Sequence, residues 1–484
     1  MKIFPHIAAI ILAVSAESVA KAQVTNLSNQ ALFLRCYAQF TQTRPADNHP
    51  LLLQVIAGTK DPIAACLQVL DKGKWTSTSN TRLPTKPGEQ VWDEEALAVV
   101  QTFHKVHTTW FDSKESAPVA NSTFSAGTKD LLDQEVPALH FTQALFKPNA
   151  TFSGVVTANA SLRPIRTTQN PTTGPASNGT KAESIFGNLV PWTATGDLLG
   201  ARSLGATELA IPYSYVDAND VTVTTPAVNL GKHFGGGFIG EQTYLLQTFG
   251  LTRSFTSNGA ERMPRKFGRS LFHDALCRPL PVIRTEDAIP FVVATSSVPF
   301  RTSSGCVRCH ASMDRVSATA RNLVYLVRGT GTITDGPFRG FEILEPHSLA
   351  QMPAETTWPS AGDNSYYRRP TNGVFYFRNY LGKLVDTKVS SLDALGDEIA
   401  AQDDFYICAA KRYYHYLTGI DVSIADVSDP AGGVFLSKRD SYHRDVVIEL
   451  GLGLKESQSS RSLIEAILRL PAYKRTDFGA GLNQ

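Results

Sequence analysis

Five consecutive residues, Cys306-Val307-Arg308-Cys309-His310, combine two thiols three positions apart with an imidazole directly after the second. On one helical turn, positions three apart share a face and the next residue falls beside them. Two sulfurs so placed can reach both vinyl groups of a haem, and the imidazole can then lie over its iron, which is the pattern of c-type haem attachment. The sequence therefore predicts one covalent haem c, bonded through Cys306 and Cys309 and ligated by His310. Other uses of these residues fit less well. A redox dithiol needs no adjacent His and usually follows a strand, whereas residues 301–305 read as a turn. A zinc site needs a second ligand pair at comparable spacing, and the remaining cysteines form none. A plain structural disulfide is the third alternative.

The sixth iron position decides what such a protein does, because Met or His closes the site for electron transfer and a vacancy admits ligand chemistry. Of four methionines, Met1 belongs to a cleavable leader and Met313 lies one helical turn from His310 on the proximal side, leaving Met263 and Met352. Met352 precedes Pro353, which favours an extended backbone able to present sulfur, and it lies 42 residues past His310, as in small cytochromes c. Met352 is the predicted distal ligand, with His347 as a competitor and an open or water-filled site as a further option. A closed site predicts electron transfer with a redox partner still to be identified. An open one predicts a peroxidase-type haem enzyme. A third reading is an envelope or surface interaction module in which the haem, or the cysteine pair, is only structural.

The chain's start predicts its compartment. Lys2 precedes an apolar run at 7–14, and Ala20-Lys21-Ala22 offers a small-x-small cleavage site before Gln23, the layout of a secretory signal over 1–22. That run is well short of the roughly 20 apolar residues a bilayer span needs, and nothing later reads as a transmembrane segment. No Cys follows the cut and no twin Arg precedes it, so unfolded export to the periplasm or beyond is expected, without a lipid anchor. Cys36, Cys66, Cys277 and Cys408 should then pair. Three connectivities are open; proximity favours Cys36 with Cys66, leaving Cys277 with Cys408. The net charge of +2 gives no bulk attraction for nucleic acid or acidic membrane.

The elements that must position the motif read as mainly α. With 484 residues, 42% hydrophobic and 19% charged, the chain can fold but is long for one ordinary core. The expected division is a helical unit at 23–115, a loop-rich region at 116–233, a helical unit at 234–300 and a haem-bearing, cytochrome-c-like region at 301–484. Apolar residues recur at helical intervals over 31–40, 62–70, 93–111, 136–146, 241–248, 264–277, 311–328, 391–400, 404–418, 437–450 and 460–470, with Gly419 a natural stop; 373–380 suggests a strand. Other candidates read as structure. His104 and His107 could share a metal but have no evident third ligand, so a partly exposed or hydrogen-bonded pair is expected. Asp93, Glu94 and Glu95 suit a helix start. Gly235-Gly236-Gly237 lacks the ending of a phosphate loop and predicts a flexible turn. The cluster around His415 predicts helix packing, with His415 near enough in kind to approach a haem.

Several stretches resemble, in order, uncharacterised secreted bacterial proteins that embed a cytochrome-c-type Cys-x-x-Cys-His segment among domains of unknown function. They are 138–146 with 157–161, 237–245, 271–281 leading into 306–314, and 405–419 followed by 464–473. The resemblance spans about 135–480 and implies haem binding with a role in respiratory or surface redox chemistry. It names no substrate.

Overall fold

In the computed structural model the described residues are 25–74, 93–111, 135–160, 162, 213–216, 222–225, 233–248, 265–296, 299–321, 323–327, 331–333, 336–338, 341–344, 370–429 and 435–478. The protein is mainly helical, as its apolar spacing predicts. Helices α1 (Asn29–Thr41), α2 (Pro50–Ile56), α3 (Pro62–Asp71), α4 (Glu94–Thr108), α5 (Val136–Phe146) and α6 (Gly154–Thr157) precede strands β1 (Tyr213–Val216) and β2 (Thr222–Thr225). Then come α7 (Gln242–Thr248), α8 (Arg265–Leu276), α9 (Thr285–Ala288) and α10 (Ser304–Ser317), which carries the Cys-x-x-Cys-His motif. Strands β3 (Val324–Val327), β4 (Gly331–Ile333), β5 (Gly336–Phe338), β6 (Phe341–Leu344), β7 (Gly373–Arg378) and β8 (Leu384–Val389) follow. The chain closes with α11 (Leu392–Ala401), α12 (Asp403–Thr418), α13 (Lys438–Ser457), α14 (Ser460–Arg469) and α15 (Pro471–Lys474).

Helix starts follow local chemistry. Ser28, Asp61 and Asp93 each accept a backbone N–H of the first turn they cap, and Glu94 and Glu95 add negative charge where the α4 dipole is positive. Gly419 ends α12 in the left-handed conformation, φ 72°, and its N–H returns to His415 O. Helix α2 was not legible because its seven residues, Pro-Leu-Leu-Leu-Gln-Val-Ile, are a nearly continuous apolar run with no helical period. The expected helix over 311–328 is corrected. It begins earlier, at Ser304, and ends at Ser317, while Val324–Val327 is a strand paired antiparallel with Phe341–Leu344. Val324, Tyr325 and Val327, β-branched or aromatic, suit a strand better than a helix end.

One hydrophobic core runs from Leu32 to Tyr473 and draws on the N-terminal helices, α7, α8, β7 and the C-terminal helices alike. Within it α5 is buried on almost every side, and its buried polar groups, His140 and Thr142, are hydrogen-bonded. Around it Phe141 packs on Trp110 and Phe238 at ring separations of 5.0 and 5.6 Å, and Trp110 meets Tyr413 at 5.0 Å. The described ends of the chain meet: Leu27 N–H donates to Lys474 O at 2.8 Å and Arg35 donates to Tyr473 O at 2.7 Å. Disulfides join Cys36 to Cys66 and Cys277 to Cys408, the pairing that proximity favoured. The second ties the end of α8 to α12. Among the described residues no helix is long and apolar enough to cross a membrane.

His104 and His107 form the hydrogen-bonded pair expected. The Thr142 hydroxyl stands 3.1 Å from His104 Nδ1 and 2.8 Å from His107 Nδ1; Glu135 lies 3.2 Å from His104 Nε2, and Tyr413 Oη lies 2.7 Å from His107 Nε2. All four imidazole nitrogens are used, so no metal is needed. Burial holds His107 well below the ordinary histidine value, with His104 and Arg412 acting the same way. The unfolded chain therefore takes up the proton first: stability from this group is complete above about pH 6.5 and falls as pH drops. His107→Gln should lower stability at pH 7 by about 1–3 kcal/mol. It should also flatten the loss between pH 6.5 and 5, by up to about 1.4 kcal/mol per pH unit. Asp404, pushed up to about 6 mainly by burial, opposes this trend in both proteins and cancels in the comparison. Urea titrations at stepped pH check it; equal slopes would refute the assignment.

The glycine triplet is a turn, but not a flexible one. Gly235, Gly236 and Gly237 have φ of 84, 76 and 60°, and their N–H groups donate to His233 Nδ1, Asp393 Oδ1 and Ala158 O. No amide is left to cradle a phosphate. A Cβ on Gly237 would stand 2.0 Å from Val155 O, and one on Gly236 would stand 2.4 Å from Leu392 O. Both neighbours are backbone and cannot step aside. Gly237→Ala is expected to cost about 2–5 kcal/mol, from left-handed strain plus overpacking, read as a lower urea midpoint at unchanged slope.

Candidate functional site

Helix α10 begins after Ser303, whose extended backbone (φ −136°, ψ 134°) turns the chain into the first turn, and Val307 N–H closes on Ser303 O at 3.0 Å. Cys306 and Cys309 lie one turn apart, with His310 beside them. Cys306 is exposed and Cys309 half-buried; both are free thiols, whereas the other four cysteines are in disulfides. Burial pushes the Cys309 thiol up, and Arg308 pulls the other way. The opposite face anchors the helix. Val307 and Ala311 are fully buried against Ile283, Ala288 and Tyr376, so the thiols and the imidazole are left on the outer side.

His310 is held by two residues, Asp314 and Phe300, and Arg265 braces both. Its Nδ1 lies 3.0 Å from Asp314 Oδ2, one turn along the same helix. Asp314 is fully buried and takes two bonds from Arg265 at the start of α8, at 2.9 and 3.3 Å. Phe300 stacks on the imidazole at a ring separation of 4.0 Å and 17° between planes, and Arg265 in turn lies 5.0 Å from the Phe300 ring. With Nδ1 donating to a carboxylate, the imidazole keeps its lone pair on Nε2. Among the described residues nothing bonds that nitrogen, and the side chain is 20% exposed. Helix α8 can supply Arg265 because Gly268 lets it approach α10 closely: a Cβ there would meet Met313 O at 2.4 Å.

These residues fit a haem c. Two unpaired thiols and one unbonded imidazole nitrogen share one side of one helix, which is the donor set attachment requires. Cys306, Cys309 and His310 are brought together as the sequence predicts. Met352, His347 and Met263 lie outside the described residues, as does the stretch 1–22 expected to be a leader. Arg265, Phe300 and Asp314 were missed as site residues. Only Asp314 carried a signal, its place four residues after His310 on one helix; the other two arrive through packing.

Two further groups do not make a second site. His140, His233 and Glu241 come within metal-ligand spacing. Glu241 Oε1, however, lies 2.8 Å from His140 Nε2 and accepts Leu162 N–H, and both His233 nitrogens are bonded to its own turn, at Gly235 N and Gly237 O. These atoms therefore already have hydrogen-bond partners, and the group fixes the glycine turn to α5. A cavity of about 920 Å³ lies between α4, α8 and α12, lined by Trp110, His273, Arg412 and His415 among others. It includes no residue of 306–310, so His415 faces a different space from the motif. Arg412, half-buried in its wall, already donates to Asp274 O, Trp110 O and His273 O.

The geometry stands without a relative to compare it with: no family model, no curated protein and no solved structure matches the chain.

Proposed function

We propose that this chain is an exported c-type haem protein serving electron transfer, with Cys306 and Cys309 as the thioether sulfurs, His310 as proximal ligand and Met352 as distal ligand. The observation that carries it is the pair of thiols left out of both disulfides, on the same side of a helix as an imidazole nitrogen that no other described residue bonds. Each thiol would add its S–H across one vinyl group, so attachment needs no leaving group. The haem supplies one-electron exchange at its iron. The protein's own part is to hold the proximal ring still, through Asp314 and Phe300, and to keep α10 seated through Val307 and Ala311. Two disulfides support an oxidising compartment, periplasmic or secreted. The resemblance to secreted proteins with an embedded haem-attachment segment points the same way. A peroxidase-type reading draws on the carboxylate behind His310, since a more basic proximal imidazole also suits ligand chemistry at an open iron.

The test uses the full-length protein, produced with c-type maturation enzymes. A covalent tetrapyrrole on the peptide holding 306–310, reversible reduction, and a ferrous form that resists carbon monoxide are the expected results. Carbon monoxide binding would replace electron transfer by the enzyme reading. Absence of added mass would overturn the haem altogether, and a Cys306–Cys309 disulfide in its place would make the motif a dithiol.

A further inference from the structure

We propose that Asp314 is a positioning residue that lowers the midpoint potential of the haem held by His310, and that Arg265 limits how far. This deepens the haem reading above and rests on it. Hydrogen bonding from Nδ1–H to a carboxylate raises the basicity of the imidazole as a ligand, and a more electron-rich ligand favours the ferric over the ferrous iron. Here the carboxylate is fully buried and 3.0 Å from Nδ1, so water does not weaken its pull. It is also the acceptor of both Arg265 bonds, which draw charge from the same oxygens, Oδ2 being shared with His310. The two neighbours therefore act in opposite directions on one imidazole. Phe300 keeps the ring from turning away, being stacked on its face and covered by Arg265.

The opposition in sign is the test. In Asp314→Asn the amide can still accept from Nδ1 but without the charge, and Arg265, partly exposed, can turn to water. Its potential should rise by at least a tenfold change in the ratio of reduced to oxidised protein, about 59 mV for one electron. In Arg265→Gln the carboxylate is freed to pull harder, and the potential should fall below that of the wild type. Spectroelectrochemical titration of the three matured full-length proteins reads both, with covalent haem content measured in each. Unchanged potentials at full haem content, or shifts of the same sign in both variants, would overturn the proposal while leaving the haem reading intact. If Asp314→Asn matures without haem, the Arg265→Gln shift decides alone, a fall supporting the proposal and a rise or no change overturning it. A wild type without covalent haem would instead remove the haem reading, and this inference with it.

Discussion

Cys306→Ala/Cys309→Ala, matured beside the wild type, is expected to fold and to leave with no tetrapyrrole, while the wild type carries one on the peptide holding 306–310. The effect should be all or none because the proposed attachment is covalent, and few substitutions in this protein should change so much at so small a cost in stability. Cys306 is exposed and Cys309 only half-buried, so removing two sulfurs opens no deep cavity, and the loss should stay within about 1 kcal/mol. Val307 and Ala311, which seat the helix, are untouched. Urea unfolding of both proteins as they emerge without maturation enzymes isolates the stability term. Intact-mass analysis of the matured forms isolates the haem. A variant that still gains the full mass would show that the attachment lies elsewhere.

Opening Cys277–Cys408 should be the largest single loss of stability among the changes considered. The bond closes a loop with a sequence separation of 131, against 30 for Cys36–Cys66. Loop-closure entropy in the unfolded chain then favours the longer loop, at about 5 kcal/mol against roughly 3.6. The structural consequence is also local to the site: α8 carries Arg265 at one end and ends just before Cys277, so this bond holds the helix that supports Asp314. Cys277→Ala/Cys408→Ala should unfold at lower urea than Cys36→Ala/Cys66→Ala, and its haem, once attached, should titrate with a broader, less uniform potential. The reverse order of urea midpoints would mean that the packing of the fully buried Cys36 and Cys66 outweighs chain entropy.

Much of this was legible in the residues. The helical spacing at 136–146 predicted α5 to the residue because apolar residues dominate the stretch, with Pro137 in its first turn marking the start. Asp93 with Glu94 and Glu95 announced α4 through capping and charge, effects that act within one turn. The motif itself needs only five adjacent residues on one helix, so its thiols and imidazole could be placed together before any tertiary contact was known. The glycine triplet shows the limit. Its turn was visible, but its rigidity comes from Asp393, Val155 and Leu392, none of which is near it in the chain.

By itself, then, the sequence determined which atoms could bind and on which side of a helix they stand, because those depend on the 3.6-residue period alone. Only the tertiary structure decided how the imidazole is held. Arg265 comes from 45 residues before His310 and meets Asp314 because Gly268 lets one helix lie close against another, while Phe300 comes from a separate turn to stack on the imidazole. Close packing of that kind depends on the shapes of two surfaces at once, and no local pattern in one of them contains it.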